Sequence, residues 1–150
     1  MLWGDDDRGR GRGPDPMAKR EATTGGTHER ERERPMRVEV NIDCADADVL
    51  RAFYCAALGY EARGEAGTYR ACLPAGDAIG PKIVFQQVPE PKTVKNRMHL
   101  DVIVDDIEAE AARWIALGAT RITVEPVREH GGAWIVMGDP EGNEICLCDS

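Results

Sequence analysis

The stretch HLDVIVDDIEAEAARWIALGA, residues 99–119, contains two kinds of hydrophobic spacing in immediate succession. In its first part apolar and polar residues alternate, which is the period of a β-strand with one buried face. The apolar set is Leu100, Val102 and Val104. In its second part the apolar residues return every three or four positions, which is the period of an amphipathic helix. We expect this helix to follow an N-cap at Asp105, with Glu108 in the capping-box position, and to end at Gly118.

The same order of elements occurs earlier in the chain. The segment RVEVNID alternates like a strand, and DADVLRAFYCAALG has helical spacing between an N-cap at Asp46 and a terminal Gly59. Three short strand candidates follow each helix: YEARGE, TYRACL and PKIVFQQV after the first, and ATRITV, AWIVMG and NEICLC after the second. The turn DPEGN joins the last two strands. The sequence therefore predicts an α+β fold of two βαβββ modules, at about residues 36–90 and 97–148.

An offset of 60 positions superposes the two modules and places Glu39 on His99 and Gln86 on Cys146. Alternation along NEICLC turns Ile145 and Leu147 toward the helices, so that their neighbours occupy the other face of the sheet. The same reasoning along MHLDVIV gives a second row of residues on that face. The residues predicted to share the face are His99, Asp101, Glu144 and Cys146.

Composition limits the class of protein. The formal net charge is −8, and residues 1–35 hold 8 basic and 8 acidic residues, so the whole excess of acid lies in residues 36–150. An acidic domain is a poor partner for a phosphate backbone, and we expect no nucleic-acid partner. No apolar run is long enough to cross a membrane. Residues 1–35 are rich in glycine, proline and charge and are predicted to be a disordered, low-complexity tail. Five cysteines without CxxC spacing predict reduced thiols and a cytoplasmic protein.

The segments AFYCAALGYE, HLDVIVDDIEAEAARWIALGA and GDPEGNEICLC, in this order, resemble the vicinal oxygen chelate superfamily. That superfamily includes glyoxalases, extradiol dioxygenases and bleomycin-resistance proteins, and the chain is most similar to its small glyoxalase-like domains. The resemblance covers residues 36–148. It implies two βαβββ modules whose mixed sheet forms a cup, with the helices on the outer face. It also implies a homodimer.

In metal-dependent members of this superfamily, four residues in the cup hold one divalent ion. The resemblance carries these positions to Glu39, Gln86, His99 and Cys146. Only His99 is the usual residue type. Glu39 can still ligate a metal, Gln86 is a weak ligand, and Cys146 replaces a carboxylate by a thiol. The resemblance thus implies zinc, nickel, iron or manganese at this place, or a pocket that works without a metal.

Three functions remain open from the sequence. The first is a divalent-metal-dependent lyase or isomerase of glyoxalase type. The second is a metal-free protein that sequesters a small organic molecule, as bleomycin-resistance relatives do, with Trp134, Tyr69 and Phe85 as stacking surfaces. The third is acid–base catalysis by His99 with Asp101 or Glu144. We expect Trp114, which lies at core spacing on the second helix, to be buried.

Overall fold

The computed structural model describes residues 37–149, and the predicted tail lies outside the described residues. The first module contains one helix and four strands. They are β1 (Glu39–Cys44), α1 (Ala47–Leu58), β2 (Tyr60–Ala66), β3 (Tyr69–Pro74) and β4 (Lys82–Gln87). The strand order is β1-β4-β3-β2, with β1 parallel to β4 and the other pairs antiparallel.

The second module repeats this plan with one addition. Its elements are β5 (Leu100–Val104), α2 (Ile107–Ala116), β6 (Thr120–Arg121), β7 (Val127–Glu129), β8 (Gly132–Gly138) and β9 (Glu144–Asp149). The order is β5-β9-β8-β6, and β7, which the sequence pattern did not predict, forms a hairpin with β8. The strand predicted over ATRITV is only two residues long. It ends early because the N–H groups of Ile122 and Thr123 both point to the carbonyl of Val136 and interrupt the ladder.

The first helix begins and ends as its sequence predicts. The carboxylate of Asp46 accepts from the N–H groups of Asp48 and Val49, and Gly59 adopts a φ of +66°, a conformation that favours glycine. The N-cap predicted for the second helix is wrong by one residue. Asp106, not Asp105, has the extended backbone of an N-cap and accepts from the second and third helical N–H groups.

Each helix covers one face of its own sheet, and the buried side chains of both modules form one core cluster. Trp114 is completely buried, as predicted, and its ring meets the edge of Phe53 at 5.6 Å between centroids. Arg113 donates to the carbonyl oxygens of Ala56 and Ala57 at the end of α1. These contacts join α2 to α1 and hold the modules together through their helical sides.

A second connection links the β8–β9 turn to the first module. The buried Asp139 accepts from the hydroxyl of Tyr54 at 3.2 Å, and Glu141 accepts from the N–H groups of Ala45 and Asp46 at 2.6 and 2.7 Å. Burial raises the pKa of the Asp139 carboxyl, although several hydrogen bonds to it act in the opposite direction. No helix among the described residues has the length and apolar character that a membrane span needs.

Candidate functional site

The face of the second sheet that points away from α2 carries a regular array of side chains, which we call the open face. Strand register places Asp101 beside Cys146 and Cys146 beside Val136, and it places Cys148 beside Trp134. The opposite face is apolar and buried under α2. The sequence prediction that His99, Asp101, Glu144 and Cys146 share one face therefore agrees with the observed register. The open face consists of His99, Asp101, Ile103, Trp134, Val136, Glu144, Cys146 and Cys148.

A cavity of about 320 Å³ lies on the open face. Its lining residues are Lys95, His99, Asp101, Trp134, Val136, Glu144, Cys146 and Cys148. Polar groups concentrate at the His99 end, and the indole of Trp134 lies at the other end, two residues along each strand. Lys95 makes no hydrogen bond or ion pair with any described residue. Burial raises the pKa of the Cys146 thiol, and the charge of Lys95 opposes this rise. The cavity therefore offers an apolar wall at one end and polar groups of both signs at the other.

Three potential metal-binding side chains meet at the floor of this cavity. The Nδ1 atom of His99 is 2.9 Å from Oδ1 of Asp101 and 3.6 Å from Sγ of Cys146. One donor atom from each of the three residues lies within 4.8 Å of the other two. Among residues 37–149 no other group of histidine, cysteine and carboxylate side chains is as close. His99 precedes the first residue of β5, so its ring lies at the end of the strand and is 38% exposed.

The geometry of this cluster orients the His99 ring and affects the Cys146 thiol. The Nδ1 atom of His99 is the ring nitrogen that faces the Asp101 carboxylate, so an Nδ1 proton is donated to Asp101, and Nε2 is left on the other side of the ring. Burial, followed by the charge of Asp101, raises the pKa of the Cys146 thiol to about 11. At neutral pH the sulfur is therefore a thiol, and a cysteine nucleophile is not supported. His99 with Asp101 has the arrangement of an oriented base, because Nε2 makes no hydrogen bond with any described residue.

Glu144 has a positioning role in the structure. Its carboxylate accepts from the N–H of Asn96 at 2.9 Å and lies 3.4 Å from Nζ of Lys92. Burial alone would raise the pKa of Glu144, but the hydrogen bonds and the charge of Lys92 outweigh it and lower that pKa. Glu144 thus anchors the segment between the modules, the same segment that brings Lys95 to the cavity. Sequence periodicity could place Glu144 on this face but could not identify these partners.

The two metal positions carried over from the first module have hydrogen-bond partners of their own. Both carboxylate oxygens of Glu39 are 3.2 Å from Nζ of Lys82. The side-chain oxygen Oε1 of Gln86 accepts from the side-chain amide of Asn41 at 3.2 Å. The group of donor atoms within 4.8 Å of one another does not include Glu39. Of the carried-over positions, His99 and Cys146 lie in contact, and Asp101, which the resemblance does not assign to the metal, lies beside them.

The three aromatic residues predicted to line a pocket have different positions. Trp134 lines the cavity on the open face. Tyr69 is partly buried on β3 of the first module and does not line this cavity. The prediction for Phe85 is wrong, because this residue is completely buried on the helix side of its sheet, 5.2 Å from the ring of Tyr54. Its neighbour Gln86 occupies the opposite face, so Phe85 had to point into the core.

Two βαβββ modules, each with a helix on one face of a mixed sheet, define the vicinal oxygen chelate class of proteins. The sequence model of the glyoxalase-like domain family matches residues 39–148. The chain belongs to this family. A search among curated protein sequences finds no match.

Solved structures agree with this assignment. A glyoxalase/bleomycin resistance protein/dioxygenase family enzyme from Burkholderia phytofirmans PsJN superposes with a TM-score of 0.62 at 23% identity, over 74% of this chain and 95% of that one. A glyoxalase/bleomycin resistance protein from Albidiferax ferrireducens T118 gives 0.58 at 21% identity, over 75% and 96%. The fosfomycin resistance protein FosX from Listeria monocytogenes gives 0.63 at 15% identity, over 78% and 94%. At these identities the likeness establishes the fold.

Proposed function

We propose that this glyoxalase-like domain binds a small organic molecule in the cavity on the open face of the second module. The observation that carries the proposal is the cavity itself, about 320 Å³, with an indole at one end and ionisable groups at the other. Ligand sites in proteins combine an apolar lining with a few convergent polar groups in this way. The corresponding face of the first module carries Tyr69 but contributes nothing to this cavity.

The lining indicates the chemical class of the ligand. Trp134 and Val136 favour a planar or apolar portion, because an indole face gives a large contact area for stacking. Lys95 has no partner among the described residues that neutralises its ammonium group, and it favours an anionic group on the ligand. Nε2 of His99 adds a hydrogen-bond acceptor or, when protonated, a donor. A planar acid of about the size of a single substituted ring fits these requirements.

The test is a thermal-shift screen with aromatic carboxylates, phenols and small phosphonates, followed by calorimetric titration of each compound that raises the melting temperature. Truncation of Trp134 to alanine removes the stacking wall and is expected to weaken binding about 10-fold or more, in line with about 1.4 kcal/mol for each factor of ten. The matched control is Tyr69→Ala, an aromatic truncation on the first module, which is expected to leave affinity within about 2-fold. If both variants bind like the unmodified protein, the ligand lies elsewhere.

A second candidate function is catalysis on the bound molecule. The 2.9 Å contact between His99 and Asp101 favours it, because a carboxylate on Nδ1 leaves Nε2 ready to take a proton from a ligand in the cavity. Alternatively, a divalent ion bound at these residues would supply the chemistry of a lyase or isomerase. In either case, Glu144 positions the segment that carries Lys95 through its contacts with Lys92 and Asn96. The discriminating test is mass spectrometry of each bound compound after incubation with the protein and with His99→Gln. Unchanged compound in both reactions supports sequestration, and conversion that needs His99 supports catalysis.

We also propose a homodimer located in the cytoplasm. Exposed apolar side chains on the described surface support association, among them Met98 at 83% and Ile103 at 63% exposure. All five cysteines are free thiols, which fits a reducing compartment. Light scattering of the purified protein at several concentrations tests the first statement. A mass of one chain at all concentrations would contradict it.

A further inference from the structure

We propose that a second cavity, which we call the seam cavity, binds a small molecule with an apolar body and a head group that donates hydrogen bonds and carries no negative charge. The seam cavity has a volume of about 270 Å³ and lies between β1 of the first module and β5 of the second. Its lining shares only His99 and Glu144 with that of the cavity on the open face. The proposal does not rest on the proposed function, because it concerns another ligand and other residues.

The seam cavity exists because two sheets end at it. β1 is the last strand of one sheet and β5 is the last strand of the other, and no ladder joins them among the described residues. The modules are connected beside the seam instead. Tyr54 donates to Asp139, and the carboxylate of Glu141 accepts from two N–H groups that directly follow β1. Because these contacts connect the modules without closing the seam, the cavity is formed before any ligand arrives, and binding requires little rearrangement.

The walls of the seam cavity are apolar. Val40 and Ile42 lie on the side of β1 that packs against the core, and the internal offset of 60 places Leu100 of β5 at the position of Val40. The lining also includes Tyr54 and Ile145, each only 1% exposed, so the cavity extends into the core. An apolar cavity of about 150 Å³ is large enough to bind benzene. The seam cavity therefore accommodates one six-membered ring with a substituent.

The free polar groups of the seam cavity are mostly hydrogen-bond acceptors. The carboxylate of Asp43 and the Oδ1 atoms of Asn41 and Asn143 accept no hydrogen bond from any described residue. No lysine or arginine among residues 37–149 lines the cavity. An anionic head group would lose its hydration here without gaining a cation as a partner. A hydroxyl, amide or ammonium group, in contrast, can donate to the acceptors that are present.

The other ionisable groups of the lining are already engaged. Nδ1 of His99 faces Asp101 at 2.9 Å, and the carboxylate of Glu144 lies 3.4 Å from Nζ of Lys92. Neither group offers an unopposed charge to a molecule in the seam. The choice of head group therefore depends on Asp43 and on the asparagine side chains.

The experiment compares three probes that share a cyclohexane ring and differ in the head group: cyclohexylmethanol, cyclohexylmethylamine and cyclohexanecarboxylate. Two-dimensional ¹⁵N–¹H nuclear magnetic resonance of the full chain follows each probe up to about 10 mM, which is ten times a Kd of about 1 mM. The alcohol and the amine are expected to shift the backbone amide signals of Val40, Ile42 and Leu100. The carboxylate is expected to bind about 10-fold more weakly or less.

A matched pair of variants tests the position of the probe. Val40→Phe fills the seam cavity and should weaken binding of the alcohol about 10-fold or more. Val38→Phe makes the same change two residues earlier, at a side chain that is 78% exposed and does not line the cavity, and should bind within about 2-fold of the unmodified protein. Trp134→Ala changes only the cavity on the open face and should also stay within about 2-fold, so that the two ligand sites can fail separately.

The spectrum of each variant establishes that it is folded, and if Val40→Phe is not, the signals that shift in the unmodified protein decide the question. Shifts at β1 and β5 with the alcohol or the amine, and not with the carboxylate, support the proposal. An absence of shifts with both of these probes overturns it, and so does equal binding of the carboxylate. Shifts centred on Trp134, or binding that a folded Val40→Phe leaves unchanged, overturn it as well, because the probe then lies outside the seam.

Discussion

Replacement of Tyr54 by phenylalanine tests how the two modules are connected. The hydroxyl of Tyr54 donates to the buried carboxyl of Asp139 at 3.2 Å, and no other atom of the first module does so among the described residues. Hydrogen bonds to charged groups contribute about 1.5–3 kcal/mol, and a distance at the long end of the range favours the lower value. We therefore expect Tyr54→Phe to lower the free energy of unfolding by about 1.5 kcal/mol, or about 5 °C in melting temperature.

The effect should depend on pH in a defined direction. Burial raises the pKa of Asp139 in the folded protein, and the Tyr54 hydrogen bond opposes this rise. Because the pKa of Asp139 is raised in the folded protein, its protonated carboxyl contributes to stability. This contribution is complete below the pKa of the unfolded chain and is lost as pH rises through the pKa of the folded protein. Removing the hydroxyl raises that folded pKa further. The destabilisation by Tyr54→Phe should therefore be small near pH 4 and complete near pH 7.

Urea unfolding followed by circular dichroism at several pH values measures both quantities. The matched control is Tyr60→Phe, because the hydroxyl of Tyr60 makes no hydrogen bond with any described residue. This control is expected to change the free energy of unfolding by less than about 0.5 kcal/mol. Equal effects of the two substitutions at pH 7, or an effect of Tyr54→Phe that is larger at pH 4, would refute the reasoning.

Three further predictions concern the same framework. Glu141→Ala removes the acceptor of two backbone N–H groups at the start of α1 and should cost about 1–2 kcal/mol in urea unfolding, whereas Glu90→Ala, an exposed control without such contacts, should cost less than about 0.5 kcal/mol. Trp114→Ala empties the contact between the helices and should cost about 3–5 kcal/mol by the same measurement; a loss below about 1 kcal/mol would contradict its place in the core. Asp139→Asn removes a carboxyl with a raised pKa, so its stability relative to the unmodified protein should improve as pH rises from 4 to 8. A relative stability that falls over this range would show that the ionised carboxylate is favoured in the fold.

Much of the fold is readable from hydrophobic period and helix caps. The alternation in MHLDVIV and NEICLC gave the correct faces, because one side of each strand is covered by α2 and the other is not. The N-cap of α2 is predicted one residue too early because Asp105 and Glu108 have the spacing of a capping box. The internal repeat indicates the correct N-cap of α2, since an offset of 60 positions places the first N-cap, Asp46, on Asp106. The additional strand β7 has no comparable signal, because three residues are too few to show a period.

The site was readable only in part. Alternation predicts which residues share a face, and His99, Asp101 and Cys146 were among them. It does not predict that three of these atoms converge, which depends on the parallel register of β5 and β9. The error at Phe85 shows the same limit in reverse, because an aromatic ring alone does not indicate which face of the strand it occupies, whereas alternation with Gln86 does. Partners from distant segments, such as Asn96 on Glu144, cannot be read from spacing at all.

The most direct test of the account maps the strongest compound from the thermal-shift screen by two-dimensional ¹⁵N–¹H nuclear magnetic resonance. The account predicts that addition of the compound shifts the amide signals of β5, β8 and β9 around His99, Trp134 and Cys146, while the signals of β2 and β3 stay unchanged. Shifts centred on Tyr69 and the strands of the first module, with the second module unaffected, would contradict the claim that the open face is the functional site.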